Sequence, residues 1–189
     1  MSASNQTDQQ TAEQLKAMEL TQRDEQGGTG RFVYWAGVLF ALAHIYFNTL
    51  GTLSELWVSA IHFSGFALMC ALMVPLSKKH GHARWTIAID MVIGLVALGT
   101  TAYLILFEDA LYARGVHFNT TDWIVAVIAI LIALEMTRRT TGWFIPSLIV
   151  FSLTYVFWWG QYVEGMFNFP GLSLETVLYR SYFSSEGMF

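Results

Sequence analysis

Charged residues are scarce in this sequence: Asp, Glu, Lys and Arg make up 13% of the 189 residues, against about a quarter in soluble domains. Hydrophobic residues reach 54%, and they are bunched into long runs rather than dispersed at amphipathic spacing, which excludes an ordinary soluble domain. Cysteine occurs once, at Cys70, so no intramolecular disulfide can form and the redox compartment is left open. Short alternating segments are missing, which excludes a membrane barrel. No short apolar stretch with a small-residue cleavage site follows a basic one, so the first long run is expected to act as an uncleaved insertion signal. The sequence also lacks a nucleophile elbow, a His-Glu metalloprotease helix and a phosphate-binding Gly-Lys loop. There is no run of gating arginines and no matched pair of interrupted spans that would mark a substrate site. These absences predict a chain that is not an enzyme, holds no cofactor or metal and binds no nucleic acid.

What the chain does have is five apolar blocks, at 32–53, 56–76, 85–107, 123–137 and 140–162. Four of them exceed the roughly 20 residues needed to cross a hydrocarbon core about 30 Å thick. Inside a bilayer each span must satisfy its own backbone hydrogen bonds, so the blocks are expected to be helices. The fourth has only 12 continuously apolar residues, 123–134. Asn119 can cap a helix there and Asp122 suits its positive end, giving a helix from Thr120 to Arg139 about 30 Å long. The ten basic residues alternate between the connections. Lys16, Arg23 and Arg31 precede the first block; Lys78, Lys79 and Arg84 separate the second and third; Arg138 and Arg139 separate the fourth and fifth. Only Arg114 and Arg180 lie on the other face. This bias predicts a cytoplasmic N-terminus and an external C-terminus. All seven tryptophans stand near block ends, where the indole ring suits a membrane interface.

The expected fold is all-α: a polytopic membrane helical bundle with five transmembrane helices plus a C-terminal interfacial amphipathic helix. Residues 1–30 are read as a polar, flexible cytoplasmic stretch, 31–163 as the transmembrane domain and 164–189 as an outer loop and interfacial helix. Of the intramembrane ionisable groups, Asp90 lies about 8 Å into the third helix and is expected to pair with Lys78, Lys79, Arg84 or a partner subunit, or alternatively to serve as an ion ligand or proton carrier. His44 and His62 fall at equal depth on adjacent antiparallel helices. They fit an interhelical hydrogen bond, or alternatively the two axial ligands of a haem in the membrane anchor of a redox complex. His80 and His82 read as solvated loop. Gly37 with Ala41, and Ser64 with Ala67 and Ala71, form small-residue stripes suited to close helix packing.

The last third is the most distinctive. In 134–146, Glu135 precedes Arg138 and Arg139 at helical pairing distance, and the basic pair offsets the carboxyl end of the helix dipole. Gly142 can end that helix, Trp143 follows, and Pro146 suits the first turn of the next. In 170–189, Pro170 and Gly171 make a turn and Ser173 an N-cap, followed by Glu175. Leu174, Val177, Leu178 and Tyr182 then give one apolar face to a helix too short to span.

These two stretches resemble the fused membrane components of tripartite ATP-independent periplasmic (TRAP) transporters, in the branch served by TAXI-type periplasmic binding proteins. The matching residues are Glu135, Arg138, Arg139, Gly142, Trp143 and Pro146, then Leu172, Ser173, Glu175, Tyr182, Ser184, Glu186, Gly187 and Phe189. Upstream of about 130, only topology and hydrophobicity match. The resemblance implies the small, non-catalytic component of a sodium-coupled secondary importer of small organic acids, in a bacterial inner membrane. Its partners would be a large permease that moves by an elevator-like motion, a periplasmic TAXI-type solute-binding protein and the lipid bilayer. The resembled polypeptides run on past the position of Phe189 into the permease, so both a separate subunit and a piece of a fused permease fit. Free-standing small subunits of other TRAP branches have four spans, against five here.

Overall fold

The computed structural model describes residues 23, 27–77, 80–185 and 187, and among these it contains helices and no strand. Helix α1 spans Gly28–Thr49, α2 Glu55–Met73, α3 Arg84–Leu106, α4 Glu108–Arg114, α5 Thr120–Thr141, α6 Phe144–Thr154 and α7 Leu174–Tyr182. Beyond α6 the helix widens into a π turn over Tyr155–Trp159 and tightens to 3-10 over Gly160–Tyr162. Among the described residues, five helices are long and apolar enough to cross a membrane: α1, α2, α3, α5 and Phe144–Tyr162. The fourth block, short by apolar length, is a helix of 22 residues.

Polar side chains fix the helix starts. Ser54 Oγ accepts from the Trp57 amide at 3.3 Å. At α5, Asn119 accepts from the Asp122 amide at 2.8 Å while Asp122 accepts from the Asn119 amide at 2.9 Å, a reciprocal capping box. Ser173 accepts from the Thr176 amide at 3.2 Å and starts α7. Gly142, at φ +78°, ends α5 in a conformation that penalises any Cβ, as the sequence predicts.

Helices α2, α3 and α5 form the centre. Ala60, Ser64, Ala67 and Ala71 make one buried face of α2, and Gly94, Ala97 and Thr101 face it from α3. Backbones approach closely there: a Cβ on Gly94 would stand 2.3 Å from Leu68 Cδ1, and Thr101 Oγ1 donates to the Ala60 carbonyl at 2.9 Å. Small residues that let backbones approach closely are typical of helix interfaces in membrane bundles. Helix α1 packs on α2, chiefly through the Phe40 ring lying over Gly65, and α6 packs on α5. Gly37 faces only Met69 and Ala41 is exposed, so this expected stripe takes no part in close packing.

Two pieces differ from the sequence reading. The short helix α4, between α3 and α5, went unforeseen; its Glu108 accepts from Trp57 Nε1 at 2.5 Å and so ties the connection to α2. Helix α7 turns its apolar face into the bundle, burying Leu178, Tyr182 and Phe183 with Leu56, Leu104, Leu111 and Ala126. Leu174, expected on that face, is 46% exposed.

Candidate functional site

The sequence-predicted residues Glu135, Arg138, Arg139, Gly142, Trp143 and Pro146 come together at the α5–α6 hairpin. Arg138 donates to both Glu135 oxygens at 2.7 Å, and Arg139 Nε donates to Glu135 Oε1 at 2.9 Å. The Arg138 guanidinium lies 5.5 Å from the Trp143 ring centroid, and Pro146 is buried in the first turn of α6. A cleft of about 600 Å³ opens beside this cluster between α5 and α6, lined by Leu131, Leu134, Trp143, Pro146 and Phe151. Glu175 stands apart, in the first turn of α7 at the opposite end of the bundle. Glu186 lies outside the described residues, as does Phe189.

The cluster extends into the core through Asp90, whose expected partners need correction. Lys78 and Lys79 lie outside the described residues and Arg84 is exposed. Asp90 is fully buried and takes Arg139 Nη1 on Oδ1 at 2.8 Å and Arg23 Nη2 on Oδ2 at 2.5 Å. Helical phase explains the first pair. Asp90 continues the α3 face of Gly94, Ala97 and Thr101, and Arg139 continues the α5 face of Ile132 and Met136, so both point into the same seam. Arg23, which falls within the stretch 1–30, is 3% exposed, and most of the rest of that stretch lies outside the described residues.

Among the described residues, this network sets Arg23, Arg138 and Arg139 against Asp90 and Glu135, three cations and two anions, a net +1. Arg139 Nη1 also donates to the Val74 carbonyl at 3.0 Å, while its buried Nη2 has no hydrogen-bond partner among the described residues. Both Asp90 oxygens are engaged by guanidinium donors, which leaves the carboxylate no free face for an ion. The arrangement holds helix ends together.

The opposite end has its own network. Asp122, fully buried, takes Arg114 on both oxygens at 3.0 and 2.8 Å and the Tyr103 hydroxyl at 2.7 Å. The hydrogen bond to Asp122 pushes the Arg114 guanidinium up from its ordinary value. Burial pushes up the Tyr182 phenol at the end of α7.

His44 and His62 do meet: His62 Nδ1 and His44 Nε2 are 3.1 Å apart, and the rings pack between Phe40 and Phe66. Axial ligation would put the iron and its macrocycle between the two nitrogens. With the rings in direct contact, the geometry is that of an interhelical hydrogen bond. Among the described residues, no group of three or more His, Cys, Asp or Glu could hold a metal ion.

Fold and site together define an all-helical protein with five apolar helices of membrane-spanning length, compatible with a multi-pass membrane protein, and a buried ion network at one end. No family model matches the chain, and no curated protein or solved structure matches it.

Proposed function

We propose that this protein is the small, non-catalytic membrane component of a sodium-coupled TRAP-type importer of small organic acids. In this reading it sits in a bacterial inner membrane with Arg23 and the α5–α6 hairpin at the cytoplasmic face and α7 at the periplasmic one. It widens the scaffold of a large permease, which a periplasmic TAXI-type binding protein supplies with solute. The observation that carries the reading is the hairpin. The residues of the resemblance form one braced unit there, and the helix they present leaves Phe144, Leu148 and Phe151 exposed at 76%, 51% and 58%. An apolar helix held along one side and bare along the other suits a lateral partner.

The test is reconstitution. Expressed with a TRAP permease and TAXI-type binding protein from the same genome, the chain should co-purify with the permease and support sodium-driven organic-acid uptake into proteoliposomes. Alone it should give none. Sodium-driven uptake by the isolated chain would overturn the proposal, as would full activity of the permease without it.

A further inference from the structure

Four oxygen acceptors converge where α2 ends and α3 begins, and one side chain fills the space between them. Arg23 donates through Nε to the Gly81 carbonyl at 2.8 Å and through Nη1 to the carbonyls of Leu72 and Ala71 at 2.7 and 3.2 Å. Through Nη2 it donates to Asp90 Oδ2 at 2.5 Å, and its backbone amide donates to the Met73 carbonyl at 2.8 Å. The Ala71 and Leu72 carbonyls of α2 need outside donors for a reason written in the sequence, and Arg139 Nη1 also reaches Ala71 at 3.5 Å. The last turn of a helix leaves its C=O groups without intrahelical partners. Here Pro75, four residues past Ala71, has no N–H to offer, and the Leu76 amide is turned to Asp90 at 3.4 Å.

Charge balance alone does not require Arg23. Without it, Arg138 and Arg139 still match Glu135 and Asp90, two against two. What Arg23 adds is a planar fork of donors that meets acceptors on three sides, at the negative end of the α2 dipole. An ammonium is a compact point charge on a flexible stem and cannot reproduce that fork.

We propose that the end of α2, with Gly81 and Asp90, is a built binding site for a guanidinium-class cation. Arg23 occupies it in cis and thereby latches the chain preceding α1 to the bundle. The site is independent of the transporter reading, because it rests on oxygen geometry alone. A latch of this kind can be emptied and refilled, which distinguishes it from a side chain that merely packs.

Chemical rescue tests this on the full chain in detergent, followed by thermal unfolding. Arg23→Ala should lower Tm by about 5–10 °C. Millimolar methylguanidinium should recover at least half of that loss, while sodium and tetramethylammonium at equal ionic strength should not. Arg23→Lys should recover less than half, and Asp90→Asn combined with Arg23→Ala should abolish the rescue. A Tm unchanged in Arg23→Ala, equal rescue by all three cations, or undiminished rescue without the Asp90 charge would each overturn the proposal. Should Arg23→Ala fail to fold, the unaltered protein supplies the readout through arginine modification by phenylglyoxal. Arg23 should then react several-fold more slowly than the exposed Arg31, and equal rates would refute the occupied site.

Discussion

Asp90→Asn isolates the contribution of the buried network. The substitution keeps the shape and one acceptor but removes the only charge that, among the described residues, bonds both Arg23 and Arg139. The side chains concerned are exposed by 0% for Asp90, 2% for Arg23 and 1% for Arg139, so solvent screening gives little relief. Removing one member of a buried charge pair costs about 3–5 kcal/mol, because the partner is left buried and uncompensated. Glu135, 2.9 Å from Arg139 Nε, offsets part of this for Arg139 but makes no bond to Arg23. At roughly 2–4 °C per kcal/mol for a chain of this size, the expected loss is about 6–20 °C in Tm, followed by tryptophan fluorescence in detergent. Adding Arg139→Gln to Asp90→Asn should cost less than the sum of the two single changes, since the second removes a charge already stranded. A Tm within about 2 °C of the parent, below 1 kcal/mol, would refute the claim that this pair locks α3 to α5.

Other consequences can be measured in the same way. Asp122→Ala removes three side-chain donors' common acceptor together with half of the capping box, so it should cost about 2–3 kcal/mol. Asn119→Ala, which loses only the cap, should cost about 1 kcal/mol by the same assay. Gly94→Val drives a side chain into Leu68 and should destabilise by about 1–3 kcal/mol, whereas Gly99→Ala, with nothing within 4 Å, should be neutral or slightly stabilising. Reversing Arg138 and Arg139 to Glu should lower membrane yield, because it puts three acids at the negative end of a helix dipole; normal insertion would contradict it. Single cysteines at Ser77 and Ala113 in a Cys70→Ser background should label from opposite sides of the membrane, and labelling of both from outside would disprove five crossings.

Helix existence was legible because it depends on local chemistry. Asn119 with Asp122, Ser173, Gly142 and Pro146 act within one or two turns of themselves, and each does in the structure what its type and spacing suggest. The Glu135–Arg138–Arg139 brace is equally local, at i,i+3 and i,i+4. What escaped were pairings set by helical phase across the bundle. Proximity in sequence points Asp90 to Lys78, Lys79 and Arg84 or to a partner subunit, although its phase with Gly94 and Ala97 turns it towards α5. Arg23 carried no local signal at all, since its acceptors lie 48 to 67 residues away. Helix α4 was hidden because seven residues with three charges have neither the length nor the apolar run of a span.

The placement of the Arg23 site has a consequence for the order in which the chain is made. Every acceptor of that guanidinium lies at or before residue 90, so the site is complete once α3 has begun to emerge. Arg139 follows 49 residues after Asp90. At synthesis rates of about 5–20 residues per second, that gap lasts roughly 2–10 seconds, long compared with the formation of a single helix. During this interval Arg23 is the one cation of the network already available to Asp90. Arg23 can thus serve as a counter-ion in waiting, because its position in the chain lets it meet the carboxylate before the arginine of α5 is made.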